Sequence, residues 1–158
     1  MDIKRLHDYL LNKNILVDQE DLEKIAAVSF YWNILKRKTD NKAYTFDNGK
    51  TVYLSRVIMN PVDGMVVDHI NGNGLDNRKI NLRICTQAQN TRNRTVSAGR
   101  KYKGITQRTN KSYRVRITVD GRCINVGDYL TEEKAIVAYN KAAIKYHGEY
   151  AKLIVLEN

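Results

Sequence analysis

The chain has 158 residues, of which 42% are hydrophobic and 28% charged, and its formal net charge is +10 at pH 7. Such a length accommodates one ordinary domain or two small ones, and the apolar fraction is enough for folded cores. No apolar run approaches the roughly 18 residues of a membrane span, and Met1-Asp2-Ile3-Lys4-Arg5 leads into no signal-like segment, so a soluble intracellular protein with no membrane partner is expected.

Cys85 and Cys123 are the two cysteines, far apart and outside any Cys-x-x-Cys pair, which argues against a disulfide framework and a zinc ribbon. Both are expected as buried or half-buried strand residues. The charge is unevenly placed. Residues 1–90 hold 13 Lys or Arg against 11 Asp or Glu, whereas residues 91–158 hold 14 against 6. Between Arg92 and Arg122 stand ten basic residues and one acid, Asp120. A track so one-sided reads as a surface for a polyanion. A membrane surface would need a basic amphipathic helix, and this segment reads as loop and strand.

In chain order, residues 1–60 come first, an α/β extension. Ile3, Leu6 and Leu10 have helical spacing, while Leu10-Leu11 and Ile15-Leu16-Val17 around Asn12-Lys13-Asn14 fit a hairpin equally well. Asp18, followed by Gln19-Glu20-Asp21 and then Leu22, Ile25 and Ala26, is a helix start with acids where the dipole favours them. Tyr31 to Leu35, Ala43 to Phe46 and Thr51 to Leu54 alternate as strands, with turns at Asp40-Asn41 and Asn48-Gly49, so a small antiparallel sheet is expected. Pro61 and Asp63-Gly64 then turn the chain.

Residues 61–96 are the stretch on which the rest turns. Val66-Val67 run into Asp68 and His69, a loop of Asn, Gly and Asp follows, and Asn81-Leu82-Arg83 opens a second short strand ending at Cys85. Asn71-Gly72 and Asn73-Gly74 accept the positive φ a tight reversal needs. Thr86 and Gln89 make a capping box for a helix that bears Asn90. A carboxylate at a strand end, facing a helix with an amide, can hold one hard cation such as magnesium through oxygen ligands, water and substrate phosphate. His69, beside the ligand and with an ordinary pKa near neutrality, can take a proton from water.

This stretch resembles the ββα-metal motif of HNH endonucleases, specifically the homing type of phages and mobile introns. The words that match are Val-Asp-His-Ile-Asn-Gly-Asn and Asn-Leu-Arg, and the helix member is Asn90 where histidine also occurs. The resemblance implies that Asp68 and Asn90 bind one Mg2+ or Mn2+ ion, that His69 is the general base, and that Asn81 pins the loop or orients His69. It also reaches upstream, where Tyr53-Leu54-Ser55-Arg56 has Ser55 at a position often held by histidine.

Residues 97–100 read as a basic linker, with Arg92, Arg94 and Arg100 placed to follow a phosphate backbone. From 101 to 158 the pattern becomes three strands and a helix. Tyr102 to Gln107 is the first strand. Tyr113 to Val119 alternates strictly, with Tyr113, Val115, Ile117 and Val119 on one face and Arg114, Arg116 and Thr118 on the other. Asp120-Gly121 turns into Arg122 to Gly127, and Thr131 caps a helix with Ala135, Ala138, Tyr139, Ala142 and Ala143 on one narrow face, ending at Gly148. His147, in the last turn, is expected as a cation suited to the helix dipole.

This second module resembles the APETALA2-type DNA-binding domain, through Tyr102-Lys103-Gly104-Ile105, Val126-Gly127-Asp128-Tyr129, Thr131-Glu132-Glu133-Lys134-Ala135 and Ala138-Tyr139-Asn140. By that resemblance Lys103, Thr106, Arg108, Arg114, Arg116, Thr118 and Asn125 face DNA. Arg83 is expected to contact DNA from the first module. The expected fold class is therefore α+β, an HNH nuclease module followed by a three-stranded antiparallel sheet with one helix. The expected function is metal-dependent hydrolysis of double-stranded DNA by a monomer or weak dimer, acting in the cytoplasm of a bacterial host and phage-encoded. The other reading is a sequence-specific DNA-binding regulator whose HNH module is vestigial.

Overall fold

The computed structural model describes residues 2–37, 41–93, 101–108 and 111–156. The chain divides into two compact units, Met1–Asn90 and Thr91–Asn158. Arg94, Arg100 and the expected linker at 97–100 lie outside the described residues.

In the first unit the helical reading of the N-terminus prevails. Helix α1 spans Ile3–Asn12, capped by the Asp2 carboxylate accepting from the Arg5 amide, and buries Leu6 and Leu10. Asn14, at φ 56°, turns the chain into Ile15, Leu16 and Val17, which form no hairpin with α1. A 3-10 turn at Gln19–Asp21 leads into α2, Leu22–Val28. The Asp18 side chain makes no capping bond there. It accepts instead from the Lys79 amide at 2.7 Å, sixty-one residues away.

Strands β1 (Asn33–Leu35), β2 (Lys42–Asp47) and β3 (Lys50–Tyr53) form the expected antiparallel sheet in the order β1-β2-β3. Asn48 and Gly49, at φ 46° and 75°, make its turn. Helix α3, Leu54–Met59, follows directly and takes Ser55 into a buried position. Strands β4 (Val66–His69) and β5 (Leu82–Cys85) pair antiparallel, and α4 spans Gln87–Asn93. One core holds this unit together, from Leu6, Leu10 and Ile15 through Trp32 and Leu54 to Val67 of β4 and Leu82 of β5. Both motif strands thus rest on the same apolar cluster as the N-terminal helices.

The second unit has β6 (Ile105–Gln107), β7 (Tyr113–Val119) and β8 (Arg122–Tyr129) as an antiparallel sheet in that order, with α5 (Glu132–His147) across it. Alternation on β7 buries Val115 and Ile117 against Ala135, Ile136, Tyr139, Ala142 and Ala143 of α5. The narrow alanine face lets the helix lie close, and Tyr139 fills the gap; burial pushes its phenol up to about 12. Gly104 marks the tightest approach. At φ 71° a β-carbon would fall on the Arg116 carbonyl and the Tyr139 ring. Gly104→Ala is therefore expected to destabilise this unit by at least about 1–3 kcal/mol, read as a lower denaturation midpoint in the full chain.

Two expectations are corrected here. Cys85 is buried, but Cys123 is exposed, because it stands opposite Thr118 on the face turned away from α5. His147 is buried, with its Nε2–H donating to the Thr118 carbonyl at 2.9 Å and with no partner for Nδ1 among the described residues. Burial holds its pKa below the ordinary histidine value; the Thr118 bond opposes that shift, and Arg92 and Lys103 reinforce it more than Asp120 offsets it. It is a neutral packed imidazole rather than a helix-end cation. Its share of stability is complete above the unfolded pKa of about 6.5 and is lost as pH falls through the lower folded value. The midpoint of the full chain is expected to drop between pH 7 and 5, with a smaller drop in His147→Gln.

Candidate active site

The β4–β5 register brings the chemistry to one end of the hairpin. Asp68 lies opposite Arg83 and His69 opposite Leu82. Asp68 and His69 are only 6% and 7% exposed. Their adjacency on a strand sends the two side chains to opposite faces, so each meets its own partners.

His69 Nε2 stands 3.2 Å from the side-chain oxygen of Asn77, itself 1% exposed. The Asn77 amide nitrogen points to the Gly74 carbonyl at 3.5 Å, which fits its oxygen facing the ring. An amide oxygen only accepts, so Nε2 bears the hydrogen and Nδ1 keeps the lone pair. This arrangement sets the imidazole in the tautomer that can accept a proton at Nδ1.

The side chain of Asn81, expected as a loop pin or as the residue orienting His69, bonds within the loop. Its side-chain oxygen accepts from the Asn71 amide at 2.9 Å and its nitrogen donates to the Asp76 carbonyl at 2.8 Å. Asn71 and Asn73 accept from the amides of Asn73 and Leu75, closing two local turns. Asp76 is gripped by Arg78 through two bonds of 2.8 Å and by Asn71. The Arg78 guanidinium holds its carboxyl below the usual range.

The N-terminal segment completes the loop. The Leu16 amide donates to the Leu75 carbonyl at 2.9 Å, and the Asn77 amide donates to the Leu16 carbonyl at 2.8 Å, a short parallel bridge. Asp18 holds the Lys79 backbone, while Glu20 and Asp21 hold its ammonium. Asn77 is thus fixed by a strap that begins more than sixty residues earlier. Neither Asn77 nor Leu16 stands out in the sequence, since one more Asn in an Asn-rich loop carries no distinguishing signal.

Helix α4 returns to the same end. Thr86 and Gln89 form the reciprocal capping box, with the Thr86 amide donating to Gln89 Oε1 at 2.8 Å and the Gln89 amide donating to Thr86 Oγ1 at 3.2 Å. That places Asn90, half-buried, one turn beyond the end of β5. Burial raises the Cys85 thiol, the Asp68 charge adds to that, and Arg83 and the Asn90 backbone amide oppose it.

The Asp68 carboxylate is engaged by Arg83, whose Nε and Nη2 donate to Oδ2 at 2.9 and 2.6 Å. Arg83, expected to contact DNA, is 13% exposed in its side chain and is committed to this pair. Among the described residues no group of three or more His, Cys, Asp and Glu is arranged to hold a metal. The donors present, one carboxylate and one amide oxygen, fit a hard ion of the magnesium type that keeps water and phosphate in its shell, and do not fit zinc.

The expected DNA contacts of the second unit lie in three groups. Thr106, Arg108, Arg116, Thr118 and Asn125 are exposed on or beside the sheet face turned from α5. Lys103 instead donates to the carbonyls of Thr91 and Arg92, and Arg92 pairs with Asp120 at 2.9 Å. Arg114 is paired with Asp128.

No solved structure matches this chain. A protein of Acanthamoeba polyphaga mimivirus described as an uncharacterized HNH endonuclease is 34% identical over 85 residues, 54% of this chain; the chain spans 44% of that relative's length. Residues 60–92, the stretch from the turn before β4 through the helix bearing Asn90, match the HNH endonuclease family.

Proposed function

We propose that this protein is a metal-dependent endonuclease of the homing type that hydrolyses phosphodiester bonds in double-stranded DNA. The observation that carries the reading is the His69–Asn77 pair, which leaves Nδ1 as the basic nitrogen of a buried imidazole whose neighbour along the strand is the buried Asp68. His69 accepts the proton of the attacking water at Nδ1. Asn77 keeps the ring in that tautomer, and Asn81 and the Leu16 strap keep Asn77 in place. Asp68 and Asn90 are the residues that would hold Mg2+ or Mn2+. When bound, such an ion supplies positive charge for the scissile phosphate and the leaving oxygen.

The second unit, of APETALA2 type in this reading, holds the duplex with the arginine face of β7. One such site per chain breaks one strand at a time, so a nicked circle is the first product. The test is supercoiled plasmid incubated with the full chain and Mg2+, with and without chelator. Nicking that stops on chelation supports the reading. Tight duplex binding with no nicking under any divalent ion overturns it and leaves a DNA-binding protein.

A further inference from the structure

Among the described residues, the sheet face turned from α5 carries one carboxylate beside its cations. Arg114 and Arg116 project from β7 with Arg108 nearby, and Asp128 of β8 stands directly opposite Arg114. Regular alternation would not put it there. Asn125 already faces this side opposite Arg116, and Asp128 lies three residues further on, so an unbroken strand would turn it toward α5. A bulge between the pairs at Val115 and Arg116 inserts one extra residue in β8 and returns Asp128 to the arginine face. Gly127, at φ 153°, lies in that irregularity, where a β-carbon would meet the Tyr129 hydroxyl at 3.1 Å.

The carboxylate grips Arg114 side-on. Nε donates to Oδ1 at 2.9 Å and Nη2 to Oδ2 at 3.0 Å, while Arg108 Nη1 stands 3.8 Å from Oδ2. The Arg114 bond holds the Asp128 carboxyl below its usual range. With side chains 29% and 41% exposed, the pair adds little to stability. On a face for phosphates a fixed negative charge is a liability, because it cancels one arginine and repels the backbone. A side-on grip does something else: it fixes the guanidinium plane and directs the terminal edge, Nη1 with the second hydrogen of Nη2, outward. That edge offers two parallel donors, the complement of O6 and N7 of guanine in the major groove, and a base edge carries no charge for Asp128 to repel.

We propose that Asp128 is a specificity-determining residue, which holds Arg114 as a reader of one guanine and withholds it from phosphate. The inference rests on the reading of this face as a duplex-binding surface.

The experiment selects bound duplexes from a random-sequence pool, in chelator to prevent cutting, with the full-length wild type, Asp128→Asn, Arg114→Lys and Arg114→Ala. The wild type is expected to enrich sites with one nearly invariant guanine. Asp128→Asn should lose that preference at that position alone, bind the unselected pool several-fold more tightly, and steepen its salt dependence by about one phosphate contact. Arg114→Lys keeps the charge without the fork, and should lose the guanine while holding the pool as well as the wild type. Arg114→Ala should lose the guanine without any gain. An unchanged consensus in Asp128→Asn, or weaker binding to the pool, overturns the proposal while leaving the DNA surface standing. Failure of the wild type to bind any duplex overturns both.

Discussion

Replacing His69 with alanine is expected to abolish DNA nicking, lowering the single-turnover rate by about 100- to 10,000-fold, with duplex affinity unchanged. The magnitude follows from its role: a positioned base contributes that much when it takes a proton in the transition state, and little to ground-state binding. The affinity arm follows from the fold. His69 pairs with Leu82 in the hairpin and binds Asn77, while the arginines read as duplex contacts on β7, Arg114 and Arg116, belong to the other unit. Truncation also leaves the buried Asn77 oxygen without its donor, so a lower midpoint is expected alongside the lost rate. Single-turnover nicking and filter or gel-shift binding on the same preparation separate the two. Nicking within tenfold of wild type would remove His69 from the chemistry; a loss of affinity matching the loss of rate would make it structural.

Local rules made much of this chain legible, and non-local ones hid the rest. The Thr86 and Thr131 caps are read from neighbours three residues away, and both form as expected. The alternation of β7 names its buried face because the period of a strand leaves no other choice for Val115 and Ile117. Asp18 shows the limit. Its surroundings say helix cap, yet its oxygen goes to Lys79 across sixty-one residues. The hairpin reading of residues 10–17 fails for the same reason, since Leu16 finds its backbone partners in Leu75 and Asn77. Asp128 is hidden differently. Counting from Asn125 sends it to the wrong face, and only the bulge restores it. At the site, Asp68 and His69 stand out as an adjacent pair. The division of labour between Asn77 and Asn81 depends on where each amide points, which residue type does not encode.

That division leads to the second large effect. Asn77→Ala is expected to lower the nicking rate by about 100-fold while KM for DNA changes less than threefold. The argument is one of orientation. With the Asn77 oxygen gone, Nε2 loses the acceptor that holds its hydrogen, so the tautomer with Nδ1 basic is less favoured and the basic nitrogen is directed at water a smaller part of the time. The Leu16 bridge runs through backbone atoms and survives the substitution, so the loop should persist. Asn77→Asp keeps an acceptor at the same distance from Nε2 and is expected to recover at least tenfold of the loss. A loop that simply collapsed would lose rate in both variants alike, raise KM, and show the same lowered melting midpoint. Recovery in Asn77→Asp without recovery in the midpoint separates positioning from packing, whereas equal rates for the two variants would assign the work to the loop backbone and not to the Asn77 oxygen.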